Sequence, residues 1–167
     1  SNEVGTGIYA GGARRMMKVQ CEMGGKNPLV VLEDADLELA ADATAQGAFG
    51  STGQRCTATS RAIVVESIAD RFAEMVVARA KRLKPGNGLR RGVTLGPSVD
   101  EKQMQTVMRF LEAARAAGSA RLLTGGGRVR DPECERGFFV EPTVYDHVAP
   151  GDRIAQEEIF GPVLAII

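Results

Sequence analysis

Cys56 is the residue of this chain that is best placed to act as a nucleophile. It lies in the polar segment 50–58, where Gly50 and Gly53 would let backbone amides approach a substrate oxygen closely. Arg55 brings positive charge that would stabilise a thiolate. The alternative is a buried cysteine that packs as a small apolar side chain, the commonest fate of a free thiol. The polar surroundings favour the nucleophile.

A cysteine nucleophile requires a base, and two residues are candidates. His147 is the only histidine and falls in a predicted loop, where a solvated side chain is the simpler interpretation. No papain-like or caspase-like signature is present, so a cysteine hydrolase is the weaker hypothesis. Glu22 follows an apolar segment and precedes Gly24 and Gly25, and a carboxylate at a strand end can enter a cleft and take a proton from water or thiol. A solvated turn glutamate is the alternative.

The elements that must position these residues alternate between strands and helices. Apolar runs predict strands at 16–21, 29–32, 62–65, 121–124, 138–145 and 163–167. Apolar side chains at helical spacing predict a helix capped by Asp36 that frays at 50–53, a second around 72–83, and a third over 99–117 closed by Gly118. This alternation predicts an α/β fold with a largely parallel sheet flanked by helices.

The composition argues against several classes of function. The 167 residues suit one domain, and 21 basic residues balance 21 acidic ones, which gives no electrostatic reason to bind nucleic acid or anionic lipid. No apolar run approaches the roughly 20 residues that span a bilayer, and no signal peptide begins the chain. The three cysteines form no metal-binding pattern, and free thiols indicate a reducing compartment. We therefore predict a cytoplasmic protein without a metal site.

The two ends suggest a chain cut from a longer protein. Ser1 is not an initiating methionine, and Ile167 stops inside the apolar run 163–167. An unprotected hydrophobic strand at the end of a domain leaves an open sheet edge, which native proteins avoid. Truncation at both ends is therefore expected.

Three segments together resemble the motifs of the aldehyde dehydrogenase superfamily. Segment 21–28 resembles its Glu-Leu-Gly-Gly-Lys motif, segment 53–56 its Gly-Gln-x-Cys motif, and segment 157–163 its downstream Glu-Ile-Phe-Gly-Pro motif. The 34-residue separation of Glu22 and Cys56 is the usual family arrangement. The three motifs occur in order and span nearly the whole chain, so the resemblance is specific.

The resemblance implies NAD(P)-dependent oxidation of an aldehyde to a carboxylic acid. Cys56 would attack the aldehyde to form a thiohemiacetal, and its backbone N–H, with a side-chain amide, would hold the oxyanion. Hydride would pass to the nicotinamide of NAD or NADP, leaving a thioester that water activated by Glu22 would hydrolyse. Glu158 would hold the nicotinamide ribose beside Phe160, and Gln103 could also reach that ribose.

The resemblance also implies a catalytic domain of this family, truncated at both ends. Residues 1–22 would be the tail of the dinucleotide-binding domain and residues 23–167 a partial catalytic domain, with Met23 and Gly24 lining the nicotinamide pocket. Ser1 would face the cofactor pyrophosphate at a helix N-terminus. The remaining cofactor domain and an oligomerisation strand would be missing, so the chain alone is expected to be inactive and the parent enzyme homo-oligomeric.

Within the family, the motifs most resemble 2-oxoglutarate semialdehyde (2,5-dioxopentanoate) dehydrogenases. An acidic aldehyde requires a cationic group at the mouth of its tunnel, which Arg55 or Arg61 could supply. A structural salt bridge is the alternative for both arginines. Succinic semialdehyde or another aldehyde is an alternative substrate, and a non-catalytic fragment or pseudoenzyme of the same fold is an alternative function.

Overall fold

The computed structural model describes residues 1–167 as five helices and five strands. The helices are α1 (Asn2–Ala13), α2 (Leu37–Phe49), α3 (Glu66–Ala80), α4 (Glu101–Ala117) and α5 (Arg153–Gln156). The strands are β1 (Asn27–Val31), β2 (Thr59–Val64), β3 (Arg121–Thr124), β4 (Thr143–Asp146) and β5 (Val163–Ile166). None of the five helices has the length and apolar character needed to cross a membrane.

The five strands form one sheet in the order β1-β2-β5-β4-β3. Strands β1, β2, β5 and β4 are parallel, and β3 lies antiparallel to β4 at one edge. This confirms the predicted α/β fold with a largely parallel sheet. The two central strands, β5 and β4, are buried along their whole length, as expected of parallel strands that are covered on both faces.

Successive side chains of the central strands enter two separate hydrophobic cores. Val144 and Leu164 join the core formed with α2 and α3, in which Phe49 and Phe72 are buried. Their neighbours in the sequence join the second core, formed with α4 and α5: these are Tyr145, Val163 and Ala165. This alternation follows from the two-residue period of a strand, and it produces a helix–sheet–helix sandwich.

Two predicted helix ends are confirmed, the start of α2 at Asp36 and the end of α4 at Gly118, whereas α3 lies earlier than predicted, at Glu66–Ala80, and α4 begins at Glu101 rather than at 99. The Asp36 carboxylate accepts a hydrogen bond from the Leu39 N–H at 3.1 Å, and Asp100 accepts one from the Gln103 N–H at 2.7 Å. Gly118 ends α4 in the left-handed region, with φ of 66°. These residues satisfy backbone groups that would otherwise have no partner at the helix ends.

The predicted strand at 16–21 is wrong, because this segment folds back against the end of α1. The Met16 and Met17 N–H groups donate to Ala13 and Gly12 at 3.1 and 3.0 Å, and Met16 has φ of 54°. The strand predicted at 138–145 is also shorter, since Pro142 lacks an N–H to donate and β4 begins at Thr143. Val140 forms only an isolated bridge, to Arg128.

The apolar run 163–167 does not form an open sheet edge, contrary to expectation. It provides β5, which pairs with β2 on one side and β4 on the other at the centre of the sheet. Its uninterrupted apolar sequence therefore reflects burial on both faces, as in other central parallel strands.

Candidate active site

The three segments singled out in the sequence meet at one end of the parallel sheet. Segment 22–26 leads into β1, segment 53–58 into β2, and segment 157–162 into β5. The amino-terminal ends of neighbouring parallel strands lie side by side, so the three segments become neighbours. The expectation that Glu22 follows the end of a strand is wrong, since it precedes the start of β1 instead.

Cys56 lies exposed on a tight turn between the 3₁₀ segment Gly50–Gly53 and β2. The turn is closed by the Ala58 N–H, which donates to the Arg55 carbonyl at 3.0 Å. The Cys56 N–H donates to no acceptor within the chain. The alternative of a buried, packing cysteine is therefore wrong for Cys56, and the turn presents a thiol together with an unpaired N–H.

The backbone leading to this turn is strained and held from several directions. Ser51, Thr52 and Gly53 have φ values of 53°, 59° and 67°, and left-handed residues rarely occur in succession. The buried Thr52 hydroxyl donates to the Gly96 carbonyl at 3.1 Å. A Cβ at Gly53 would lie 2.2 Å from the Gly161 carbonyl oxygen, so this position admits only glycine.

Gln54 ties the same segment to the loop that precedes α4. Its side-chain amide donates to the Pro97 carbonyl at 3.2 Å and accepts from the Val99 N–H at 2.9 Å. This double contact was not predicted. Gln54 belongs to the Gly-Gln-x-Cys segment, but its partner lies more than forty residues away, and nothing in the local sequence indicates it.

Asn27 connects the Glu22 segment directly to the Cys56 turn. Its Nδ2 donates to the Cys56 carbonyl at 2.6 Å and to the Ala58 carbonyl at 3.1 Å. Sequence reasoning also missed this contact, although Asn27 follows directly after the glycine-rich motif. The first and second motifs are therefore joined through one side chain.

Glu22 lies exposed in the irregular segment before β1. Its carboxylate accepts one hydrogen bond, from Gln20 Nε2 at 3.3 Å, and forms no ion pair. Further along this segment, a Cβ at Gly25 would lie 3.5 Å from the Cys56 carbonyl oxygen. The segment that carries Glu22 thus contacts the Cys56 turn, and its role as the base stays a prediction.

Glu158 joins the first and third motifs. Its Oε1 accepts a hydrogen bond from the Gly25 N–H at 3.2 Å, and a Cβ at Gly24 would lie 1.8 Å from its Oε2. The carboxylate therefore rests directly against the backbone at Gly24, and it remains exposed to solvent. An exposed carboxylate fixed at one oxygen is a suitable acceptor for sugar hydroxyls, so the residues present fit the ribose of a nicotinamide cofactor.

The other residues expected at the cofactor site have mainly structural contacts. Gln103 Nε2 donates to the carbonyls of Ile159 and Phe160, both at 2.9 Å, and supports Phe160 at φ of 55°. Met23 packs against Gly5 of α1, where a Cβ would lie 2.1 Å from its sulfur. Ser1 Oγ accepts from the Val4 N–H at 3.3 Å and caps α1. Their contacts with a cofactor stay predictions.

Lys26 is a buried cation beside this site. Its Nζ has no hydrogen-bond partner. Burial, the largest cause, and the charge of Arg61 lower the pKa of the Lys26 ammonium to about 8, against the opposing effect of Glu158 and Glu157. Arg61 donates to the Lys26 carbonyl at 2.7 Å. Neither Arg61 nor Arg55 forms a salt bridge, so that alternative is wrong for both.

His147 lies at the other end of the sheet. It follows β4 directly, and its Nδ1 is 3.2 Å from Asp146 Oδ1. Cys56 instead precedes β2, at the amino-terminal end of the parallel strands. The structure therefore separates the only histidine from the thiol, and a cysteine–histidine hydrolase has no support in this geometry.

Comparison with known proteins identifies relatives over the whole chain. The model of the aldehyde dehydrogenase family matches residues 1–167. Alpha-ketoglutaric semialdehyde dehydrogenase of Bacillus subtilis and alpha-ketoglutarate semialdehyde dehydrogenase of Haloferax volcanii are each 45% identical over 167 residues, which are 100% of this chain and 34% of each relative.

A solved structure shares the fold. The crystal structure of betaine aldehyde dehydrogenase from Staphylococcus aureus in complex with NAD⁺ superposes with a TM-score of 0.94 at 36% identity. The match covers 99% of this chain and 33% of that one. The chain therefore spans about a third of the length of the relatives that it matches.

Proposed function

Because the chain belongs to the aldehyde dehydrogenase family, we propose that it serves the NAD(P)-dependent oxidation of an aldehyde to a carboxylic acid, as part of a longer protein. The observation that carries the proposal is the Cys56 turn. It combines an exposed thiol with an unpaired N–H, and it contacts the segments that contain Glu22 and Glu158. This oxidation requires a nucleophile and a donor for the oxyanion. It also requires one carboxylate that holds the cofactor and another that activates water.

Cys56 is the nucleophile in this proposal. Its thiolate sulfur forms a bond to the aldehyde carbon, and the carbonyl electron pair moves to the oxygen. The Cys56 N–H, which has no acceptor within the chain, donates to the developing oxyanion. A fixed donor aimed at new negative charge stabilises the transition state more than the ground state.

Glu158 positions the cofactor. Its carboxylate, held by the Gly25 N–H, would accept hydrogen bonds from the hydroxyls of the nicotinamide ribose. The bound cofactor would supply the acceptor for the hydride that leaves the aldehyde carbon. The substrate carbon then remains attached to Cys56 as a thioester, which water must hydrolyse.

Glu22 is the general base for that hydrolysis. Its carboxylate takes a proton from water as the water oxygen attacks the thioester carbon, and the Cys56 thiolate leaves with the carbon–sulfur bonding pair. The exposed carboxylate has one hydrogen bond, from Gln20, so it is free to turn toward an incoming water. The products are the carboxylic acid and the regenerated thiolate.

An acidic semialdehyde, with 2-oxoglutarate semialdehyde as the first candidate, is the substrate in this proposal. The two semialdehyde dehydrogenases that are 45% identical to the chain support it. Arg55 directly precedes the nucleophile, is exposed and has no ion pair, so it can receive a substrate carboxylate. Arg61 is already engaged with the Lys26 carbonyl. Succinic semialdehyde is the alternative substrate.

Formation of reduced cofactor by the full-length protein tests the proposal. The protein is given NAD or NADP and a set of aldehydes that includes both semialdehydes and a neutral aldehyde of similar length. We expect turnover, and Cys56→Ser should lower kcat by on the order of 10³-fold or more. Cys21→Ser, which removes a different thiol, should retain activity.

Two outcomes would count against the proposal. If Cys56→Ser retains wild-type turnover, Cys56 is not the nucleophile. If the full-length protein forms no reduced cofactor with any aldehyde while Cys56 still alkylates readily, the fold has been kept without the oxidation, and the pseudoenzyme alternative is correct.

A further inference from the structure

Asn27 occupies a position from which it can control the geometry of the Cys56 turn. It is the first residue of β1, and its Nδ2 reaches the carbonyls of Cys56 and Ala58 at 2.6 and 3.1 Å. An amide nitrogen carries two hydrogens, one for each of these carbonyls. No other donor in the chain reaches the Cys56 carbonyl.

The two peptide units on either side of the Cys56 Cα are therefore both fixed. The Arg55–Cys56 unit is held by its carbonyl, which accepts from the Ala58 N–H at 3.0 Å. The Cys56–Thr57 unit is held by its carbonyl, which accepts from Asn27. Because each peptide is planar and trans, fixing both carbonyls fixes φ and ψ of Cys56. The direction of its N–H and of its Cα–Cβ bond follows.

The start of β1 holds Asn27 in place for this contact. Asn27 pairs with Thr59 and Pro28 pairs with Arg61, so the register shifts by one residue between them. The extra residue is Ser60 of β2, opposite the Asn27–Pro28 step, and bulges of this kind are common next to active sites. Asn27 therefore lies beside the irregular start of β2, while the rest of β1 continues in regular register with β2.

We propose that Asn27 is a positioning residue for the reaction at Cys56, holding the turn so that the thiol and the unpaired N–H face the same substrate. This inference rests on the proposed aldehyde oxidation and adds to it a residue that touches neither substrate nor cofactor. Its effect is on the alignment of the oxyanion donor with the attacking sulfur, and a small misalignment of reacting groups can cost on the order of 10²-fold in rate.

Asn27→Asp in the full-length protein is the main test, because the side chain keeps its shape but loses both donors. We expect kcat for aldehyde oxidation to fall by about 10- to 100-fold, with KM for the cofactor changed by less than about threefold. Alkylation of Cys56 by iodoacetamide requires an exposed thiolate but no oxyanion donor. Because the new carboxylate disfavours the thiolate, alkylation is followed with rising pH to its plateau, and the plateau rate should change by less than about threefold. The kcat of Asn27→Ser, which keeps one shorter donor, should lie between that of the wild type and that of Asn27→Asp.

Asn87→Asp is the matched control. Asn87 lies in an exposed loop, where its side-chain oxygen accepts from the Leu89 N–H at 3.0 Å. An aspartate keeps that acceptor, so both kcat and the alkylation rate should equal those of the wild type.

The results separate this inference from the function on which it rests. Wild-type kcat in Asn27→Asp would overturn the role of Asn27 and leave the oxidation standing. If kcat, the alkylation rate and the amount of folded protein all fall by the same factor in Asn27→Asp, Asn27 has only a structural role, and this result would also overturn the inference. If the wild-type protein itself oxidises no aldehyde, the proposed function has failed, and the inference fails with it.

Discussion

At the scale of single residues, the site combines groups that are fully paired with groups that are left free. Asn27 donates both hydrogens of its Nδ2 to backbone carbonyls. The Gln54 side-chain amide donates to one backbone carbonyl and accepts from one backbone N–H. The Cys56 N–H and the Lys26 Nζ have no partner in the chain. The free N–H lies at the surface, whereas the Lys26 ammonium is buried without a hydrogen bond and is stabilised only by the charges of Glu158 and Glu157. Protonation of Lys26 should therefore affect stability.

The stability of the protein should rise with pH near the pKa of Lys26, and this rise should depend on Lys26. Burial lowers that pKa from 10.5 to about 8, so between these values the unfolded chain binds more protons than the folded one and stability increases with pH. The gain in the free energy of unfolding is at most about 3 kcal/mol, since one pKa unit is worth about 1.4 kcal/mol. Lys26→Met has no ammonium at this position and should not show this gain.

Thermal unfolding of the wild type and of Lys26→Met at several pH values measures this effect. We expect the Tm of Lys26→Met to exceed that of the wild type most at pH 7 and the difference to shrink by pH 9.5. Burial raises the pKa of Cys134 and of Tyr145, which lowers stability at higher pH in both proteins alike and cancels in the difference. A difference in Tm that does not vary with pH would contradict the account.

At the scale of elements, the site is made by loops that enter parallel strands and are pressed against each other. Gly53 lies against the Gly161 carbonyl at a distance that leaves no room for a Cβ, and Gly24 lies against the Glu158 carboxylate. The strain at Ser51 and Thr52 persists because Gly96, Pro97 and Val99 hold the segment on its other side. Surroundings that over-determine a strained segment are typical of functional sites.

Gly53→Ala should disrupt the site through this contact, and Gly118→Ala is its matched control. Both glycines have nearly the same left-handed φ, 67° and 66°, but a Cβ at Gly118 would meet nothing within 4 Å. Gly118→Ala should therefore show only the cost of the left-handed backbone, about 1 to 2 kcal/mol, and keep full kcat. Gly53→Ala should lower Tm further and reduce kcat by on the order of 10²-fold. Equal effects of the two substitutions on kcat would contradict the predicted role of the contact.

The sequence predicted the elements whose signals lie in a few neighbouring residues. It did not predict the features that depend on pairing or contact with distant segments. Asp36 and Gly118 mark helix ends by capping, which depends on a few neighbouring residues. The segment 16–21 has the composition of a strand but pairs with no other strand, and 163–167, predicted as an open edge, forms the central strand. The motifs singled out the segments that contain Cys56 and Glu22, and the structure brings those segments into contact. The contacts of Asn27 and Gln54 arise only when distant segments meet in three dimensions.

At the scale of the whole molecule, we propose that residues 1–22 belong to a cofactor domain and residues 23–167 to the catalytic domain. Helix α1 contacts the remaining chain at few places: Met23 and Cys21 lie against Gly5, and Val19 lies against Gly12. Its large apolar side chains Val4, Ile8 and Tyr9 are 56–61% exposed. A helix with an uncovered apolar face suits a segment that packs against further protein.

Limited proteolysis of this chain by trypsin tests the division. Arg14, Arg15 and Lys18 lie in the exposed segment after α1, where few contacts cross to the sheet, and domain boundaries are preferred cleavage sites. We expect the first cleavage there, leaving a resistant product that ends at Ile167. Arg90 and Arg91 are also exposed, but their loop is held by backbone hydrogen bonds from the Arg90 N–H to Asn87 and from the Val93 N–H to Arg90, so cleavage there should follow later. First cleavage within 23–167 would contradict the proposed boundary.

The central claim is that Cys56 carries the substrate as a thioester that Glu22 helps to hydrolyse. The most direct measurement is mass spectrometry of the Cys56 peptide from full-length Glu22→Gln protein, quenched during reaction with aldehyde and cofactor. We expect an acyl group on Cys56 in most molecules and a burst of reduced cofactor, and neither of these in Cys56→Ser. Unmodified Cys56 together with wild-type turnover in Glu22→Gln would contradict it.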